Sequence, residues 1–317
     1  MNGTSDRTHE IEDLCDSWLA TAMPSEGGGL TIGVATEQFR LRNNGIQFHE
    51  LRYSELRAAC LGLTKVLLHP GLNTVVDLDH KLFWSWCGEL FAGSKSSYFG
   101  DDEREIKELF GLACRASLAG VYRPDKRGWE EQRDRTAAME PNARELMHRG
   151  HTVLVYLALP LLEAMLKKAC HAYVRYDGSV GAQFSVPRGK DRHQYDVGGR
   201  ISSVRDLLWL LHEEVADLDL VDALDSQRSQ IARLEPEKDP FDVLFRWRNS
   251  SLHGETSLPT IGGTVFNTAI LVALDAVATD YESLRDRVVD QVRWEAQTVQ
   301  LSASGYRSPW SYYPPYW

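Results

Sequence analysis

A charged residue set in the middle of an apolar helical stripe constrains this chain more than any other feature. Asp239-Pro240 opens a helix, with Asp suited to a cap and Pro to the first turn. Phe241, Leu244, Phe245 and Leu252 then fall at i, i+3, i+4 and i+11, on one face. Arg248, at i+7, lies in the middle of that face. A guanidinium cannot be neutralised and is seldom buried alone, so in this position it needs a partner or a chemical task. Arg246 is out of phase with the stripe and is expected in solvent. Asn249 and His253 are i and i+4, so the amide can orient the imidazole. Arg248 and His253 diverge by roughly 140° on an ideal wheel. They converge on one phosphate only if the helix loosens over Ser250-Ser251 before Gly254, or if two copies of the segment face each other, which points to a homodimer.

Arg248-Asn249, three further residues, then His253-Gly254, on a helix between two other long apolar segments, resembles the signature of the HEPN superfamily (higher eukaryotes and prokaryotes nucleotide-binding). Arg205 with His212 and Arg246 with His253 have permitted spacings too. The Asn, the small residues, the Leu-His-Gly ending and the flanking helices distinguish the 248–253 copy. The resemblance implies an all-α, usually dimeric, metal-independent endoribonuclease domain. In it His253 serves as base or acid, Arg248 as phosphate clamp and Asn249 as the residue that orients His253. The biological setting it implies is a toxin of a toxin–antitoxin pair or an effector of anti-phage defence, with an antitoxin or regulatory partner. The alternative is a non-catalytic helical module of the same type that binds a nucleotide or a protein.

Composition narrows the partners. The formal net charge is -10, which opposes general nucleic-acid binding, because non-specific affinity comes from Lys and Arg neutralising phosphates. RNA therefore needs a local basic patch. Phe184 to Arg205 is the candidate: Arg188, Lys190, Arg192, Arg200 and Arg205 face only Asp191 and Asp196, with Phe184 and Tyr195 available for stacking. A solvated loop explains the same residues. Five widely spaced cysteines with no C-x-x-C pair argue against a disulfide framework and a zinc site, and so for a reducing cytoplasm. His148 with His151 lacks a carboxylate or Cys at ligand spacing, so no metal or other cofactor is expected. The polar N-terminus shows no signal peptide, and the longest uncharged apolar run, Thr152 to Leu162, is too short to span a bilayer.

Taken in order, residues 8–23 predict a short amphipathic helix. From Leu30 the period changes to two, with Leu30, Ile32 and Val34, then Phe39 and Leu41, an Asn43-Asn44-Gly45 turn, and Ile46 and Phe48, which predicts a β-hairpin. Further strands are expected at Leu63 to Leu68 and Thr74 to Leu78, then a helix from His80 to Phe91. Strands capped by one helix, with Tyr53-Ser54-Glu55-Leu56 among the early strands, resemble a bacterial pleckstrin-homology or GRAM-like domain. Asp101-Asp102-Glu103 starts another helix with Ile106, Leu109, Phe110 and Ala113 inward.

The expected architecture is α+β: a small mixed, β-rich and regulatory domain over 1–122, a charged connection over 123–142, a helical HEPN-like bundle over 143–299 and an aromatic, proline-rich tail over 300–317. In the bundle, a long helix from Ala143 to Val174 carries Pro160 and predicts a kink. Its Glu163 either reaches Arg248 or stays in solvent. A helix over 201–216 and an acidic, exposed stretch over 213–225 follow. Leu258-Pro259 and Gly262-Gly263 mark a loop, and one long helix runs from Phe266 to Val288. The Tyr- and Trp-rich tail is costly to leave in water, so it docks in a groove of this protein or of a partner, or is a disordered recognition segment.

Overall fold

The computed structural model describes residues 6–20, 23–24, 30–31, 40–68, 78–118, 130, 133–134, 136–252, 259–301 and 312–313. Helix α1 (Thr8–Ala20) is capped by Asp6, whose Oδ1 accepts from the Thr8 amide at 2.9 Å. Strands β1 (Met23–Pro24) and β2 (Leu30–Thr31) pair antiparallel. Leu30 thus pairs backward along the chain, and residues 32–39 of the expected hairpin lie outside the described residues.

At Asn43-Asn44-Gly45 the expected hairpin turn is instead the end of a short helix, α2 (Arg40–Asn43). Gly45, at φ +82°, lets the Ile46 amide reach back to Leu41 at 3.0 Å. A positive-φ glycine serves a helix stop as well as a hairpin, and here the Asp79 carboxylate, accepting from the Leu41 amide at 2.7 Å, selects the helix. Ile46 and Phe48 are buried, but Phe48 lies in a single 3-10 turn.

Residues expected as strands at Tyr53–Leu56 and Leu63–Leu68 belong almost entirely to helix α3 (Tyr53–Leu67). Leu56, Ala59, Cys60, Leu63 and Leu67 recur at helical spacing and are all buried, so the longer period prevails over the local apolar run. Helix α4 (Leu78–Ala92) covers the expected 80–91 segment, and the rest of the 74–78 run lies outside the described residues. A 3-10 turn at Asp101–Glu103 leads into α5 (Arg104–Leu118). Among the described residues before 123, β1 and β2 are the only paired strands. The chain is mainly α with a small β part.

The expected 143–174 helix is two helices: α6 (Pro141–His148), capped by Glu140, and α7 (Gly150–Ala169). Pro160 sits on the exposed side of α7, where water can satisfy the carbonyl it leaves free. Strands β3 (Phe184–Arg188) and β4 (Asp191–Tyr195) form a five-residue antiparallel ladder. Helix α8 (Val204–Leu210) ends in a π turn over Leu211–Val215. The acidic stretch that follows is not merely exposed. Asp217 accepts from the Leu220 amide at 2.9 Å and starts α9 (Leu218–Leu234), which buries Leu220, Ala223 and Leu224. Helices α10 (Pro240–Leu252), α11 (Pro259–Ala276) and α12 (Tyr281–Leu301) complete the chain, α11 and α12 bending through 112° over residues 277–280. Among the described residues no single helix is long and apolar enough to cross a membrane.

The expected loop at Gly262-Gly263 and the single final helix are both corrected by packing. A Cβ on Gly262 would lie 2.9 Å from the Val155 side chain and 3.0 Å from its amide nitrogen, and one on Gly263 would lie 2.8 Å from Leu67 and 3.2 Å from the Trp84 ring. Gly262 brings α11 against the backbone of α7 and Gly263 makes room for the Leu67 side chain of α3 and the Trp84 ring of α4, a gain that offsets their poor helix propensity. Gly262→Val is expected to lower the unfolding free energy by about 1–3 kcal/mol through overpacking. Leu218→Ser, at a residue 82% exposed, should stay within about 0.5 kcal/mol. Urea titration of both variants checks this, and an unchanged midpoint for Gly262→Val would contradict the close approach.

Candidate functional site

Helix α10 is anchored at its N-terminal turn. Asp239 accepts from the amides of Phe241 at 2.9 Å and Asp242 at 3.3 Å, and Phe241, Val243 and Leu244 are fully buried. Arg228 of α9 lies over the rings of Trp209 and Phe241 at 4.6 and 5.0 Å, joining α8, α9 and α10. Rotation about the α10 axis is thereby blocked, and Arg248 is directed at α7.

There it meets Glu163. Arg248 Nη2 donates to Glu163 Oε2 at 3.3 Å, with the arginine side chain 27% and the glutamate 18% exposed. The other terminal nitrogen of Arg248 is 3.5 Å from Asn249 Oδ1, so the Asn amide oxygen faces the guanidinium. Glu163 Oε1 is also ion-paired with Lys167 Nζ at 2.9 Å, one helical turn further along α7. One carboxylate therefore holds two half-buried cations, and the trio carries one net positive charge. Such an arrangement favours an anion, which can share Arg248 or replace Glu163 as its partner. Ser251, three residues after Arg248, is fully buried. His253 and Gly254 follow Leu252 directly in the chain and lie outside the described residues, as do the side chains of His148 and His151.

Most of the other candidate cations are matched by acids. Arg246 extends from α10 to Glu235 at 2.5 Å and is 42% exposed, in keeping with its position off the stripe. In the β3–β4 hairpin, Arg188 is 3.6 Å from Asp206, and Arg192 donates to Glu213 at 2.6 Å and to the Ser185 carbonyl at 2.7 Å. Lys190 is exposed at the hairpin turn. Two expectations for this region change. Arg205, counted in the basic patch, is buried: it donates to Asp206 at 2.6 Å and to the Pro187 carbonyl at 2.7 Å, and pairs with Asp242 of α10. Phe184 is turned into the core and stacks on Tyr195 at 4.9 Å, so these rings hold the hairpin on its base, and Phe184 offers no open face to a base. The pairing acids, Asp206, Glu213 and Asp242, come from outside the hairpin, which is why a count restricted to 184–205 overstates its charge.

Sequence reasoning missed Lys167. Its i+4 spacing from Glu163 was the available signal. Among the described residues no group of three His, Cys, Asp or Glu side chains gathers as a metal site, and all five cysteines are free and buried. No family model, curated protein or solved structure matches the chain.

The geometry makes Glu163 the counter-charge that keeps Arg248 in the stripe. In a double-mutant cycle of Glu163→Gln and Arg248→Met, the expected coupling is about 1 kcal/mol, reduced from a buried-pair value because both groups are partly solvated. A coupling of zero at low salt would make the two side chains neighbours without an interaction.

Proposed function

We propose that the protein is a metal-independent endoribonuclease of the HEPN type, cleaving RNA by attack of a ribose 2′-hydroxyl on the adjacent phosphate. The observation that carries this reading is the half-buried Arg248, held by Glu163 beside Asn249 at the end of α10, with His253 the next residue but four in the chain. In this mechanism His253 moves the proton of the 2′-hydroxyl or of the leaving oxygen, and Arg248 stabilises the charge that builds on the non-bridging oxygens. Asn249 orients His253, and Glu163 positions the guanidinium. The products are a 2′,3′-cyclic phosphate and a 5′-hydroxyl. Arg188, Lys190, Arg192 and Arg246 are the cations we assign to the rest of the RNA backbone, the three arginines in competition with their present acidic partners.

We assign the active form to a homodimer through the helical part, working in the cytoplasm as a toxin or anti-phage effector under an antitoxin or regulatory partner. An exposed strip on α7 supports the dimer: Tyr156, 40% exposed, and Pro160 lie one turn apart and lead to Glu163 and Lys167 on the same edge. A second copy covering that strip would bring two Arg248 sites close together, which answers the divergence of Arg248 and His253. The Arg248–Glu163 pair also fits the alternative, a non-catalytic nucleotide- or protein-binding module in which the pair is architectural.

RNA cleavage in EDTA separates the two. Purified protein is expected to cut total RNA, and His253→Ala to lose at least about 100-fold in rate, as expected for removing a general acid–base group. Arg248→Lys keeps the charge but not the planar fork, so it should fold normally and lose most of the activity. Arg246→Lys should change little beyond salt-sensitive affinity. A folded His253→Ala protein with full activity would remove the nuclease assignment and leave the binding module.

A further inference from the structure

The groove between α4 and α5 is occupied by the chain's own tail, and the manner of its capture is that of a peptide-binding site. Glu89, only 5% exposed, accepts from two successive main-chain amides with one oxygen: that of Tyr312, and that of Tyr313 at 2.8 Å. The fully buried Ser85, one turn earlier on α4, donates to the Tyr312 carbonyl. Three contacts thus grip the backbone of a two-residue segment that bends so that successive amides converge on one carboxylate oxygen, and main-chain contacts of this kind hold a segment without regard to its side chains.

The side chains are read separately. Tyr313 enters an aromatic pocket, its ring 5.4 Å from Trp86 and 5.6 Å from His49, with its hydroxyl 3.4 Å from His49 Nδ1. Tyr312 lies under Arg115, whose guanidinium carbon is 4.9 Å from the ring centre. Space for this second ring comes from two glycines: a Cβ on Gly88 would lie 2.8 Å from the Tyr312 ring, and one on Gly111 would collide with its hydroxyl. Beyond the ring the groove continues as an open cleft of about 470 Å³, walled by Arg104, Lys107 and Leu112, the last 53% exposed.

We propose that this groove is a peptide-recognition site for two consecutive aromatic residues in a bent segment, that Tyr312-Tyr313 is its resident ligand, and that a segment of the same chemistry supplied in trans exchanges with it. The proposal is independent of the ribonuclease reading. Tethering gives the resident pair an effective concentration on the order of millimolar, so exchange is masked until the cis contact is weakened.

The test uses the full chain with Tyr312→Ala and Tyr313→Ala, which opens the groove, and a fluorescein-labelled peptide of residues 306–317 as the probe. Fluorescence anisotropy should show binding to the open chain at least about 10-fold tighter than to the wild-type chain, where the tethered pair competes. Adding Gly111→Val to the open chain, or replacing both probe tyrosines by serine, should abolish binding. Equal binding to wild-type and open chains would place the probe elsewhere and overturn the proposal. So would no binding to an open chain that retains its helical circular dichroism. Failure of the open chain to fold would also overturn it, because the tyrosines would then be a fixed part of the core instead of an exchangeable ligand.

Discussion

A single buried amide orders the helices around the centre of this molecule. Asn267, fully buried in the middle of α11, donates to Thr64 of α3 at 2.8 Å and accepts from the Trp84 indole of α4 at 2.6 Å. A buried amide that loses such partners has no water to replace them, so sliding either helix by one turn would leave both sides unsatisfied. Thr268, one residue on, accepts from Gln227 of α9 at 2.6 Å and extends the same constraint to a third helix. Apolar contacts alone tolerate several registers. These polar ones select one.

The site inherits that order. Gly262 sets α11 against α7, the ends of α7 and α11 are thereby fixed, and Glu163 is carried to a defined height on the exposed edge of α7. From the other side, Asp239 and the Arg228 stack fix the rotation of α10. Arg248 and Glu163 meet because two independently anchored helices present them to each other at 3.3 Å, not because either segment encodes the contact. The cost of keeping a guanidinium in an apolar stripe is offset by that carboxylate and by partial access to water.

Charge is distributed by the same logic. With a formal net charge of -10, most basic side chains find an acid nearby, and the β3–β4 hairpin shows how: Asp206 of α8 closes on Arg188 and Glu213 of the π turn on Arg192, while Asp242 of α10 pairs with Arg205 at the start of α8. Any anion approaching these cations must first displace a carboxylate. At Lys167, Glu163 and Arg248 two cations share one acid, as Lys238 and Arg246 share Glu235 at a more exposed position.

Local information in the chain determined much of this. The 3.6-residue period over α5, α7 and α10, the Asp239-Pro240 start and the in-phase position of Arg248 are all legible without coordinates, because each depends on neighbours within a turn or two. The short apolar runs over 40–68 misled, since a run of four to six apolar residues fits a buried strand and a buried helix equally well, and Gly45 suits either a hairpin or a helix stop. Glycines 262 and 263 read as a loop for the same reason: whether a missing Cβ means a turn or a close helix contact depends on what lies opposite, and Val155, Leu67 and Trp84 are far away in sequence. Arg205, the matched charges of the hairpin and the docking of Tyr312-Tyr313 between α4 and α5 likewise required tertiary structure, because their partners are 11 to over 200 residues distant or on another helix. Hydrophobic period is a property of a segment, whereas the pairing of a buried charge or ring is a property of the surface that closes over it.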